Sequence, residues 1–407
     1  MGAGPTRRLL LALALSIAAL PSVDAGAVPS SRGTAHRPAA PQGTWLAGDL
    51  HIHTCYSHDS WCPPNDDNTG PDEFYTLGLT VQEQFCAADQ RGLDYLAITD
   101  HDDVRSVKDP GFGACGVTPV PGYEASYKGH AQVLGVREVI DAGDESAGRI
   151  LAVSQRVRAD GGVFQINHPA EGSTNFPADA DWQYLYDVVP DTVEVWNIST
   201  LWQPPFPSGS SNDDALRYWE GWLNRGFRVG ATGGSDNHWR STHSLQGPGQ
   251  PTTWVFARSP TEAGILEAIR QGRTFVSSQP PAVGGTRVFL EADADREGVY
   301  ESMVGDTVPA GAPLRVRVEG APGALLRVVA DGTEPFPPVS VSSTSFEHRF
   351  TLSADARWVR AEVLQRDLQG ERAATCDPVA GGETTYCRNR LAVLALTSAI
   401  YLQRALP

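Results

Sequence analysis

Leu46-Ala47-Gly48-Asp49-Leu50-His51-Ile52-His53-Thr54 starts as an apolar strand and ends on two histidines one residue apart. Alternate residues of a strand point to the same side, so both imidazoles face a common point, as a metal ion requires. The same grammar recurs downstream. Tyr95 to Asp100-His101, Val163 to His168 and Val229 to Asp236-Asn237-His238 are short apolar runs that close on Asp or His. Helix signals fall between them. Thr80-Val81-Gln82-Glu83 is a capping box for a helix that stops near Gly92, and a second helix is expected from about Glu145 to Asp160. Ser259-Pro260-Thr261-Glu262 opens a third helix, ending at Gly272 before the strand-like Arg273 to Ser277. Repetition of strand, helix and strand predicts parallel β/α units, in a barrel or a doubly wound sheet. In such folds the C-terminal strand ends gather on one face, which would bring the histidines together.

Of the ten histidines, only His36 and His348 lie outside this region; His51, His53, His58, His101, His130, His168, His238 and His243 lie inside it. Gly122-Tyr123-Glu124 and Gly129-His130 add a carboxylate and an imidazole from a further segment, and Asn167-His168-Pro169 ends a strand with a histidine. Asp49 shares the face of His51 and is placed to orient an imidazole. Each signal has a bland reading by itself: two satisfied polar side chains for the His-x-His pair, a helix cap at Asp100, a solvated acid at Glu124. Five such signals at strand ends point instead to a metal centre.

The rest of the chain sets the context. It has 407 residues, 41% hydrophobic and 20% charged, a length that favours two domains in a globular protein. A net charge of −16 argues against nucleic acid as a partner held by charge. Residues 1–25 read as a signal peptide, with Arg7 and Arg8 before the apolar run Leu9 to Leu20, which also resembles a twin-arginine export signal. Residues 26–43 form a Pro-rich lead-in expected to be disordered, and no membrane span is expected after cleavage, so the protein is expected to be secreted or periplasmic. Six cysteines suit an oxidising compartment. Cys376 and Cys387 are expected to pair, while Cys55, Cys62, Cys86 and Cys115 allow three pairings, with no C-x-x-C to suggest a thiolate metal site. After Pro280-Pro281 short alternating segments predict a small all-β, sandwich-like domain over 281–407, following the β/α domain over 44–280. These are Arg287 to Glu291, Pro313 to Glu319, Leu325 to Ala330, Phe346 to Leu352 and Trp358 to Gln365, and Leu391 to Leu402 reads as a final strand.

The ordered set Asp49-Leu50-His51-Ile52-His53-Thr54, Thr99-Asp100-His101, Glu124 with His130, Asn167-His168-Pro169 and Ser235-Asp236-Asn237-His238 resembles the polymerase and histidinol phosphatase (PHP) superfamily of metallohydrolases. Gly129-His130-Ala131, Val193 to Asn197, Pro251 to Val255 and Ala268 to Ser277 are similar to its secreted branch, which includes carbamate hydrolases. The resemblance spans about Leu46 to Ser278 and implies a distorted seven-stranded β/α barrel with two or three divalent metals. It implies that His51, His53, Glu124 and Asp236 hold one metal, that Glu124 bridges to a second held by His130 and His168, and that His101 and His238 hold a third. The last ligand of that third site departs from the family pattern, because Ser57 is followed by His58 and then Asp59, either of which could serve. Glu194 matches a family position and is expected in a supporting role.

Mixed nitrogen and oxygen ligands favour Zn²⁺, Mn²⁺ or Fe²⁺. Water activated by the metals is the expected nucleophile, with Glu124, Asp236 and His238 as the residues expected to carry catalysis and a small-molecule ester as the substrate. A phosphate ester would suit three metals, with Arg105, Arg137 or Arg240 as charge clamps. A carboxyl ester, amide or carbamate would suit an apolar pocket formed by Trp196, Trp202 and Trp239. A non-catalytic extracellular binding module with structural metal is the alternative from another class.

Overall fold

The computed structural model describes residues 42–60, 78–173, 177–198, 211–238, 247–365 and 392–404. Residues 1–25, most of the lead-in, Cys62, Trp202, Trp239, Arg240, His243 and the pair Cys376 and Cys387 lie outside the described residues.

The chain proceeds through β1 (Thr44–Asp49), α1 (Val81–Gln90), β2 (Tyr95–Ile98), β3 (Thr118–Tyr127), β4 (Gly129–Leu134), α2 (Ala147–Ala159), β5 (Val163–Ile166) and β6 (Thr192–Asn197). It continues through α3 (Ser211–Asn224), β7 (Gly230–Gly234), β8 (Thr252–Ala257), α4 (Glu262–Arg270) and β9 (Thr274–Ser277). Local chemistry places these boundaries. Thr80 and Glu83 form the expected reciprocal cap of α1, and Thr261 caps α4 by accepting from Gly264 N. The helix α3 is not among the three expected from the sequence. It buries Leu216, Trp219, Trp222 and Leu223, an i, i+3, i+6, i+7 stripe.

The expected mixed α/β architecture is present, and the described residues of this portion form nine strands where the resemblance implied a distorted barrel of seven. The strands run in the order β9-β8-β1-β2-β3-β4-β5-β6-β7, with β4 antiparallel to both its neighbours and β8 antiparallel to β1 and β9. Side chains join the two ends of this path. Thr253 Oγ1 accepts from Gly233 N at 2.8 Å and donates to Gly233 O at 2.7 Å, and Thr274 Oγ1 donates to Ala231 O at 2.7 Å. Threonine hydroxyls thus take up strand-edge groups that would otherwise be buried without partners.

Beyond residue 280 the described elements are strands and one short 3₁₀ turn: β10 (Arg287–Ala292), β11 (Ser302–Met303), β12 (Thr307–Pro309), β13 (Leu314–Glu319), β14 (Leu325–Ala330), β15 (Val339–Ser340), β16 (Ser345–Phe350), β17 (Trp358–Leu364), β18 (Val393–Thr397) and β19 (Ile400–Gln403). Four of them form an antiparallel sheet, β11-β10-β13-β16. The final apolar run is two strands, not one. Ser398, between them, donates its backbone N–H to Thr274 O and accepts from Ala231 N through Oγ, so the chain turns from its pairing with β9 to its pairing with β12. One apolar cluster combines Ile52, Phe85 and Leu96 with Val288, Val316 and Val359, so the later strands share a core with the β/α portion. Among the described residues no helix is long and apolar enough to cross a membrane.

Cys86 pairs with Cys115, and Cys55 is also disulfide-bonded. The first bond ties α1 to the turn before β3 and selects among the pairings the sequence left open.

Candidate metal centre

Strand β1 ends at Asp49, yet the alternation continues, because Ile52 forms a parallel bridge with Asn237. Ile52 therefore packs into the core while His51 and His53 turn to the other side. Gly234 makes room for them: a Cβ there would lie 2.3 Å from His51 Cβ and 2.5 Å from Glu194 Oε1. Asp236 takes a left-handed φ of 51°, a conformation Asp tolerates better than most residues.

Four ligand-type atoms meet here. His51 Nε2 lies 3.1 Å from His53 Nε2, 3.1 Å from Glu124 Oε2 and 3.3 Å from Asp236 Oδ1. His53 Nε2 lies 3.2 Å from both carboxylate oxygens. Ligands about 2.0–2.1 Å from a tetrahedral ion are separated by about 3.3–3.4 Å, so this spacing matches a first coordination shell. Two imidazole nitrogens facing each other at this distance need a cation or a proton between them.

Glu124 faces both ways. Its Oε2 also lies 3.4 Å from His101 Nε2, while Oε1 lies 3.2 Å from His168 Nε2 and accepts from Asn167 Nδ2 at 2.7 Å. A further group forms around Asp59, whose Oδ2 is 2.7 Å from His238 Nε2 and 3.3 Å from His101 Nε2. The choice left open by the sequence thus falls on Asp59. His58 is exposed with its ring beside that of His101, and it enters none of the ligand groups formed by the described residues. His130 and His168 cluster with Asp181, a residue the sequence reading missed. Buried His130 Nδ1 and Asp181 Oδ2 have no hydrogen-bond partner, which leaves two ligand-type atoms for a cation to satisfy.

Four histidines share one orientation. Nδ1 of His51 faces Glu194 Oε1 at 3.0 Å, that of His53 faces Ser57 Oγ at 3.0 Å and that of His101 faces Ser126 Oγ at 3.1 Å. Nδ1 of His238 faces the Asp236 carbonyl at 2.9 Å, whereas that of His168 lies 2.9 Å from Glu171 Oε2 without hydrogen-bond geometry. An oxygen acceptor on Nδ1 holds the proton there and directs the Nε2 lone pair inward. Orientation of His51 falls to Glu194 rather than to Asp49. Asp49 accepts backbone N–H groups from His51, Ser235 and Gly249, and burial, opposed by those bonds, pushes its carboxyl up to about 6. Glu194→Gln should lower metal affinity about 10–100-fold while leaving the fold intact, measured by titration against a metal-binding dye.

The electrostatics are those of a cluster that needs positive charge. Burial opposes charge on His53, but Asp236 and Glu124 outweigh it and raise its pKa to about 10. Burial likewise disfavours the anions of Glu124 and Asp236, yet the facing histidines hold both well below the usual carboxylate range. A histidine whose pKa rises on folding stabilises the fold below its unfolded value, and that stability is lost as pH rises through the folded value. The metal-free protein should therefore lose thermal stability between about pH 6.5 and 10. Added Zn²⁺ should stabilise progressively more over the same interval, because it binds the deprotonated ring. Melting curves with chelator and with metal across this range check both slopes.

The cluster grades from floor to rim. Side chains of His51, His53 and Glu124 are 0–1% exposed, whereas His130 is 30%, Asp181 28% and Asp59 36% exposed. Of the expected cationic clamps, Arg137 pairs with Glu262 through NH2 at 2.6 Å, and Arg105 pairs with Asp103. Trp196 is fully buried in the core.

No family model matches the chain, and no curated protein matches it. Among solved structures it is similar to a two-domain protein from Bacteroides vulgatus containing a predicted PHP-like metal-dependent phosphoesterase, with 15% identity, 88% of this chain and 98% of that chain covered, and a TM-score of 0.41. It is also similar to a lesion-specific endonuclease from Pyrococcus furiosus (15% identity, 64% of each chain, TM-score 0.37) and an amidohydrolase from Chromobacterium violaceum (14% identity, 49% of this chain and 89% of that chain, TM-score 0.31).

Proposed function

We propose that this chain is a metal-dependent hydrolase of the PHP type, with a phosphate ester as its preferred substrate class. The common outward Nδ1 and inward Nε2 of His51, His53, His101 and His238 around Glu124, Asp236 and Asp59, with Nε2 of His168 also on Glu124, carries the reading. His51, His53, Glu124 and Asp236 would hold one ion; Glu124, His168 and His130 a second; Asp59, His101 and His238 a third. Divalent transition ions at such a site lower the pKa of water toward about neutrality and clamp the oxygens of an in-line displacement.

The protein's own groups supply the rest. Glu124 keeps both oxygens committed to different ligand groups, and Asn167 and Asn197 hold the outer edges of Glu124 and Asp236. Asp59, His130 and Asp181 define the open side by which a substrate enters. The carboxylates of Asp59 and Asp181 and the imidazole of His130 make that rim polar, which favours an anionic ester bound through metal ions over an apolar carbamate. The signal peptide read at residues 1–25 and the Cys86–Cys115 bond support a place outside the cytoplasm.

Hydrolysis of an aryl phosphate should appear with added Mn²⁺ or Zn²⁺ and vanish on chelation and dialysis. Turnover of an aryl carbamate without phosphate ester hydrolysis would transfer the same centre to the carbamate class. Activity surviving complete metal removal would overturn the mechanism.

A further inference from the structure

A second cavity, of about 210 Å³, lies at the opposite ends of β7 and β9 from the metal cluster. Its floor is bare backbone: a Cβ on Gly272 would lie 3.6 Å from the Cα atoms of both Gly230 and Gly305. Arg228, Arg270 and Arg273 line it, together with Tyr401 and Asp306. Three arginines in the lining of one small cavity stand out in a chain of net charge −16.

Their partners leave an excess of positive charge. Asp306 is the one acid in the lining, and it is committed: Oδ1 accepts from Arg273 NH2 at 3.2 Å and Oδ2 from Met303 N at 3.0 Å. Arg270 is anchored by the carbonyls of Gly161 and Gly162, which fix its position without neutralising it. Arg228 lies over the Tyr401 ring, 5.4 Å from its centre. The Arg273 side chain is about one-fifth exposed, and of its nitrogens NH2 is the one held by Asp306. Guanidinium forks match planar and tetrahedral oxyanions, and phosphate offers both the charge and the acceptor oxygens. The volume suits an anion or the phosphate end of a small molecule and falls below the roughly 300 Å³ at which drug-sized ligand pockets begin.

We propose that this cavity is a binding site for phosphate or a small phosphate monoester, separate from the metal centre. It does not depend on the hydrolase reading. Calorimetric titration of inorganic phosphate into the full chain, as purified and again after chelation, tests it, with glycerol 3-phosphate and malonate as further probes. Binding should persist after chelation and in Asp236→Asn, and weaken about tenfold in each of Arg228→Gln and Arg273→Gln. Arg228 is exposed, so its substitution leaves the packing in place should Arg273→Gln fail to fold. Retention with inorganic phosphate alone identifies a free anion, and retention with both phosphates identifies a phosphorylated metabolite. Loss on chelation or in Asp236→Asn, unchanged affinity in Arg228→Gln, or equal binding of malonate would each overturn the proposal.

Discussion

Glu124→Gln is expected to reduce kcat/KM by well over a hundredfold and to lower the amount of bound metal, with the fold retained. The substitution keeps shape and volume and removes one charge from the centre of the cluster. Oε2 of Glu124 faces His51, His53 and His101, while Oε1 faces His168 and Asn167, so one residue serves several ligand groups at once. A Gln amide has one oxygen and one nitrogen and cannot face both directions as an acceptor. Its NH₂ must point at Asn167 Nδ2, placing donor against donor at about the 2.7 Å now bridged, or at the imidazoles that should present lone pairs to a metal. Either choice disturbs more than one metal position, whereas a change at a supporting residue such as Glu194 weakens one. Elemental analysis beside steady-state kinetics distinguishes the two cases. Wild-type metal content and turnover in Glu124→Gln would remove the carboxylate from the centre of the site.

Much of this centre is legible in the sequence because its ligands follow strand ends. His51-Ile52-His53, Asp100-His101 and Asp236-Asn237-His238 come from three segments that the parallel pattern brings to one face. What was not legible sits in loops or depends on distant partners. Asp59 and His58 are adjacent, and only the turn through Ser57 and Ser60 places the carboxylate of Asp59 against His238. Glu171 and Asp181 follow His168 in an irregular loop, where no period links an acid to the imidazole it serves. Glu194, an internal strand residue, was expected in a supporting role from the family resemblance, but its partner, His51 Nδ1, was not legible. The closure of β7 onto β8 and β9 through Thr253 and Thr274 leaves no trace in local hydropathy, since threonine is common in any strand.

The largest effect on stability is expected from Arg360→Met, about 3–5 kcal/mol of destabilisation and a Tm lower by about 5–10 °C. Arg360 and Glu362 alternate on one face of β17, and both are fully buried, as is Glu220 on α3. Arg360 Nε donates to Glu220 Oε1 at 2.6 Å and its NH1 to Glu362, which also accepts from Arg327 Nε at 2.7 Å. Removing the central guanidinium takes a shared cation from Glu220 and Glu362 in the core, while Arg327 still pairs with Glu362. Burial disfavours the Glu362 anion, but Arg327 and Arg360 outweigh it and lower its pKa below the ordinary value. A carboxylate with a depressed folded pKa contributes stability above its unfolded value, and that contribution is lost as pH falls through the folded one. The cost of Arg360→Met should therefore be greatest near neutrality and shrink toward about pH 4, where the stranded acids protonate. Adding Glu220→Gln should recover part of the loss, because it removes one of the two buried carboxylates that lost the guanidinium. A single variant costing under about 1 kcal/mol, or a double variant less stable than the single, would show that the network contributes little to joining β17 to α3.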